Sequence, residues 1–152
     1  MITWIQRLGI YPRELKIFAF ASLSLGIAYS IFDSTFNNFL NERYALTGFQ
    51  RSFLEFPREL PGFLVVFVSA ILWFLCNRRV GALSLLFSFA GILLIGFVAP
   101  TFNIMMVFLF VFSLGQHLLM PATVSIGMEL AEPGKTGKRL GQLNAIRNLA
   151  TI

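Results

Sequence analysis

GALSLLFSFAGILLIGFVAP, running from Gly81 to Pro100, is twenty residues without one charged side chain. A bilayer-crossing helix needs about 20 mostly apolar residues, because hydrocarbon offers backbone N–H and C=O groups no partner outside the helix. The stretch meets that requirement and predicts a transmembrane helix over 81–100. It is apolar all round, which suits a position toward lipid rather than beside a polar cavity.

Working outward, three more spans are predicted. Downstream, 103–128 is polar only at its first residue and at Ser113, Gln116, His117, Thr123 and Ser125. Upstream, Gln50 to Cys76 is closed by Asn77, Arg78 and Arg79. Its core from Pro61 onward is uncharged, while its first third carries Arg51, Glu55, Arg58 and Glu59. Pro57 and Pro61 predict a bend there. The first span covers about 15–40, with Pro12 just before it. It is too long, and at Asp33, Asn37, Asn38 and Asn41 too polar, for a cleaved signal peptide. After the fourth span, 129–138 reads as a loop broken by Pro133, Gly134 and Gly137. Leu140, Leu143, Ile146 and Leu149 then restart a helical period over 139–152. That helix reads as cut off inside a fifth span.

Composition agrees. Of 152 residues 57% are hydrophobic and only 12% charged, with mean hydropathy +0.76. Soluble domains carry about 25% charged residues, so a water-soluble monomer is disfavoured. Eighteen phenylalanines exclude disorder. The single Cys76 and single His117 leave no basis for a disulfide, a metal site or a bound cofactor. The net charge of +5 and pI near 10 do not point to nucleic acid, because no basic stripe with interleaved aromatics exists. The basic residues instead fall in the connections. Arg7, Arg13, Lys16, Arg78, Arg79, Lys135, Lys138 and Arg139 fall on one side, against Arg43, Arg51 and Arg58 on the other. Cytoplasmic loops carry the excess of Lys and Arg. The N-terminus is therefore expected in the cytoplasm and the chain in the plasma membrane.

Polar groups inside a span are costly and usually face protein or a water-filled cavity. Ser22, Gly26, Ser30, Asp33 and Asn37 fall three or four residues apart, on one helix face. Asp33 would sit about seven residues, roughly 10 Å, from the outer end of its helix. It reads either as a cation- or proton-responsive carboxylate or as a structural partner for a neighbouring helix. Arg51, Glu55, Arg58 and Glu59 form a stripe of alternating sign, so Arg51–Glu55 and Glu55–Arg58 pairs are expected. The stripe is either a solvated helix end or an outer gate. Asn144, Arg147, Asn148 and Thr151 make a third polar face. Arg147 is open to three readings: a partner for Asp33, a substrate anchor, or a snorkelling cation. Gln116 and His117 lie near mid-helix, where His117 reads as a proton relay or a packing residue.

Signs of catalysis are missing from the sequence. Gly134-Lys135-Thr136 matches the end of a phosphate-binding loop, but Glu129 stands where the motif needs glycine. No nucleophile–base set accompanies it, so no catalytic residues are assigned and an enzyme is not expected.

The pattern resembles the N-terminal part of the major facilitator superfamily of secondary transporters, over about 15–152. The turn around Asn77-Arg78-Arg79-Val80-Gly81 is similar to the family's basic turn between helices two and three. Arg78 or Asn77 stands in place of its acidic residue, depending on alignment. Gly115 matches a glycine of the fourth helix, with Phe112 where arginine is common. Glu132-Pro133 through Arg139, then Gly141 to Ala150, is similar to the loop and opening of helix five. The resemblance implies an all-α membrane protein of twelve helices in two similar halves, this chain supplying part of one. Helices one and four would line the cavity, and two and five would face the other half. Asp33, Asn37, Gln116, His117 and Arg147 would then contribute to a site for a small solute, with a coupling proton or cation. Arg78, Arg79 and Gly81, with Glu55, Arg58 and Glu59, would serve conformational switching. A four-helix scaffold or assembly subunit is the alternative.

Overall fold

The computed structural model describes residues 11–149. Arg7, Ala150, Thr151 and Ile152 of the readings above lie outside the described residues. The described chain is helical throughout apart from short turns: α1 (Tyr11–Tyr44), α2 (Gly48–Ile71), α3 (Asn77–Phe97), α4 (Phe102–Glu129) and α5 (Thr136–Leu149). Three helices, α1, α3 and α4, are long and apolar enough to cross a membrane. The chain is a multi-pass membrane protein.

The second predicted span needs correction. Its helix ends at Ile71 rather than Cys76, and Leu75 N–H closes a turn onto Leu72 C=O at 2.9 Å. Every 18-residue stretch of α2 therefore contains at least three of Arg51, Glu55, Arg58 and Glu59. Only Leu60–Ile71 is free of charge, about 18 Å of helix against a hydrocarbon core of about 30 Å. Other boundaries move too. Arg78 and Arg79 lie in the first turn of α3 rather than in a connecting loop. α5 begins at Thr136 rather than Arg139. α1 continues to Tyr44, so Asp33 lies eleven residues, about 16 Å, from its end.

The chain divides into two compact units, residues 40–126 in one and residues up to 39 with 127 onward in the other. In the 40–126 unit a capping box starts α2. Thr47 Oγ1 accepts from Gln50 N–H at 3.3 Å, and Gln50 Oε1 accepts from Thr47 N–H at 3.0 Å. Arg51 donates to Asn41 Oδ1 at 2.8 Å, so of the two expected pairs in this stripe it is Arg58–Glu55 that forms, at 3.8 Å. Tyr44 donates its hydroxyl to Ala99 C=O at 2.9 Å, tying the end of α1 to the α3–α4 turn.

The α3–α4 contact is built on small residues. Gly81, Ser84, Ser88, Gly91 and Ile95 form the buried face of α3, at spacings of three and four. A Cβ on Gly91 would lie 2.6 Å from Phe112 N and Cα, and one on Gly115 would lie 2.5 Å from Ser84 O and Ser88 N. The backbones touch because no side chain separates them, the usual solution where lipid provides no hydrophobic drive between helices. Away from that face, Leu86, Phe89 and Phe97 of α3 are exposed. That fits a lipid-facing helix with one packed seam.

α2 meets α4 near its two prolines. Ser113, fully buried, donates its hydroxyl to Arg58 C=O, the carbonyl three residues before Pro61. The N–H that Pro61 lacks would have reached Pro57 C=O, so the serine bonds the neighbouring carbonyl rather than the one the proline leaves open. Ser113→Ala should therefore cost about 0.5–1.5 kcal/mol. Thermal unfolding in detergent checks this, and a midpoint equal to wild type would contradict it.

In the other unit, α5 packs on the last turn of α4. A Cβ on Gly127 would lie 2.8 Å from Leu140 Cδ2 and 3.1 Å from Leu143 Cδ1. Leu130 and Leu143 are buried there.

Candidate functional site

Positions 22, 26, 29, 33, 36 and 40 of α1 share one face, with alternating spacings of four and three residues. Ser22, Gly26, Phe36 and Leu40 are buried and Tyr29 is half-buried, but Asp33 is exposed. The covered face of α1 thus opens at its one carboxylate. Ser22 satisfies itself locally, donating to Phe18 C=O at 2.8 Å, so it is not a free polar group aimed at a ligand.

The Tyr29 hydroxyl lies in the electrostatic field of both Asp33 and Arg147. α1 and the last turn of α5 therefore bring a carboxylate, a phenol and a guanidinium into one neighbourhood. Arg147 is half-buried. Asn37, one turn beyond Asp33, is exposed, as is Asn144 on α5. Tyr29 was missed in the sequence reading. It falls in the same stripe as Ser22, Gly26 and Asp33, and that spacing was the signal for it.

Gln116 and His117 belong to the 40–126 unit. The His117 ring lies over Gly62 of α2, where an added Cβ would come within 3.0 Å of Cε1 and 3.2 Å of Nδ1. The His117 ring thus packs between α2 and α4, seated where glycine leaves room. Gln116 is half-buried beside it in sequence. Gly81 is buried in the α3–α4 seam, where an added Cβ would lie 3.6 Å from Ile126 Cδ1, an ordinary contact distance. Arg78 and Arg79 are exposed on the first turn of α3. Glu55 and Glu59 are exposed, and Arg58 is half-buried.

Opposite the charged stripe, Phe49, Phe53, Phe56, Phe63 and Phe67 run along α2 and are all exposed. The first three stack in sequence with centroids 6.2 Å apart. α2 is therefore strongly two-faced, phenyl on one side and ionic on the other.

No protein-family model, no curated protein and no solved structure matches this chain. Among the described residues no group of three or more His, Cys, Asp or Glu is placed to hold a metal ion.

Proposed function

We propose that this chain is part of a secondary active transporter that moves a small solute by alternating access, in the manner of the major facilitator superfamily. The observation that carries this reading is Asp33: a carboxylate exposed at a break in the covered face of a membrane-length helix, with Tyr29 and Arg147 beside it. An intramembrane acid is costly unless water, a cation or a substrate reaches it. The neighbouring guanidinium gives the same spot a handle for an anionic group. Asn37 adds hydrogen-bonding capacity one turn away. In the 40–126 unit His117 is held in place by its seat on Gly62. Alternating access would require the rest of the transporter, with the solute site near the midplane. The charge bias of the connections supports a cytoplasmic N-terminus in the plasma membrane.

The exposed phenylalanine face of α2 also suits a second reading, a scaffold subunit that docks this face on another membrane protein. Reconstitution decides between them. Full-length protein in proteoliposomes, presented with a panel of small organic ions with and without a pH gradient, should accumulate at least one solute saturably. Failure to move any solute under either condition would favour the scaffold.

A further inference from the structure

The loop between α4 and α5 and the first two turns of α5 border an open surface pocket of about 140 Å³ lined by Glu132, Lys135, Lys138, Arg139 and Gln142. The transport reading makes no use of it. One water needs roughly 10–15 Å³ of such a pocket, so a tetrahedral oxyanion fits. We infer that this pocket binds a phosphate monoester group, supplied by an anionic lipid headgroup or a free phosphate ester.

The charges are already sorted for that role. Lys135 Nζ donates to Glu132 Oε2 at 2.6 Å, which engages the single carboxylate of the lining. That bond, together with the charges of Lys135, Arg139 and Lys138, holds the Glu132 carboxyl below the usual carboxylate range. The pair therefore persists at neutral pH and weakens only as acid protonates Glu132 below its ordinary titration range. Lys138 and Arg139 remain to receive an anion. Arg139 Nη1 donates to Gln142 Oε1 at 3.0 Å, which fixes the guanidinium plane and leaves the Gln142 amide as a further donor. Arg139 Nε is buried and has no hydrogen-bond partner among the described residues. A buried charged donor left unmade is costly. The lining also follows the first two turns of α5, where the helix dipole favours negative charge.

Binding is measured by calorimetry on the full-length protein in neutral detergent, with two probes, inorganic phosphate and dioctanoyl phosphatidate. Dioctanoyl phosphatidylcholine, whose phosphate is capped, is the control. At least one phosphate probe should bind saturably, and the control at least tenfold more weakly. Phosphatidate at least tenfold tighter than phosphate identifies a lipid headgroup, and closer affinities identify a soluble ester. The K138Q/R139Q variant should lose at least tenfold in affinity while keeping the wild-type unfolding midpoint in phosphate-free buffer. E132Q should gain affinity, because it frees Lys135 and removes the opposing charge; a merely structural loop would move both variants the same way. Absence of binding by both probes, wild-type affinity in K138Q/R139Q, or no gain in E132Q would overturn the inference.

Discussion

Gly115→Ala is expected to be among the most destabilising single-methyl changes in this protein. The added Cβ would sit 2.5 Å from Ser84 O, Ser88 N and Ser88 Oγ. Two of those atoms are backbone, so relief requires α3 and α4 to move apart as rigid rods. Overpacking of this kind costs about 1–3 kcal/mol, and an unyielding neighbour puts Gly115 at the upper end. Gly91→Ala, with its contact 2.6 Å from Phe112 N and Cα, should behave alike. Gly96 lies on the same helix as Gly91 with nothing within 4 Å. Gly96→Ala should be neutral or slightly stabilising, since alanine is the better helix former by about 1 kcal/mol. Thermal unfolding in one detergent compares the three, at roughly 2–4 °C per kcal/mol for a chain of this size. Equal midpoints for all three variants would mean that α3 and α4 do not meet through these glycines.

The second large effect is on transport. Arg147→Ala and Asp33→Asn, each reconstituted as full-length protein at equal density, should lower solute flux at least tenfold, about 1.4 kcal/mol or more. The basis is the neighbourhood that Tyr29 shares with both side chains. Removing one member of a partly desolvated charge cluster leaves the other without its complement. Tyr29→Phe keeps the ring and should give an intermediate loss. Arg147→Lys keeps the charge but not the planar fork, so substrate affinity should suffer more than maximal flux. Wild-type rates in both Arg147→Ala and Asp33→Asn would remove these residues from the site.

The helices whose charges stand outside the apolar run could be read directly. For α3 the run from Gly81 to Pro100 decided the matter, and the structure adds only one turn before it and ends it three residues sooner. α2 was misjudged because Leu72-Trp73-Phe74-Leu75 continues the apolar run past the helix end. Hydropathy registers composition, and nothing polar marks the turn that Leu75 closes on Leu72. The Thr47–Gln50 capping box was available as a spacing signal and fixes where α2 begins. The small residues at 81, 84, 88 and 91 were equally available, but an apolar helix read only for charge looks featureless. For the site, periodicity put Asp33 in line with Ser22 and Gly26. It could not show that neighbours on that face are covered while Asp33 is not. Nor could it bring Arg147 to Tyr29, since more than a hundred residues separate them. The seat of His117 turned on Gly62, a contact between two helices that no single-helix pattern contains.

The account rests on α4 crossing the bilayer, and labelling of its two flanking turns tests that most directly. In a Cys76→Ser background, single cysteines replace Pro100, before α4, and Pro133, after it; both positions are exposed. Each is treated with a membrane-impermeant maleimide on intact cells and again after permeabilisation. One should react in intact cells and the other only once the membrane is opened. Reaction of both from the same side would contradict the transmembrane assignment of α4 and the proposals built on it.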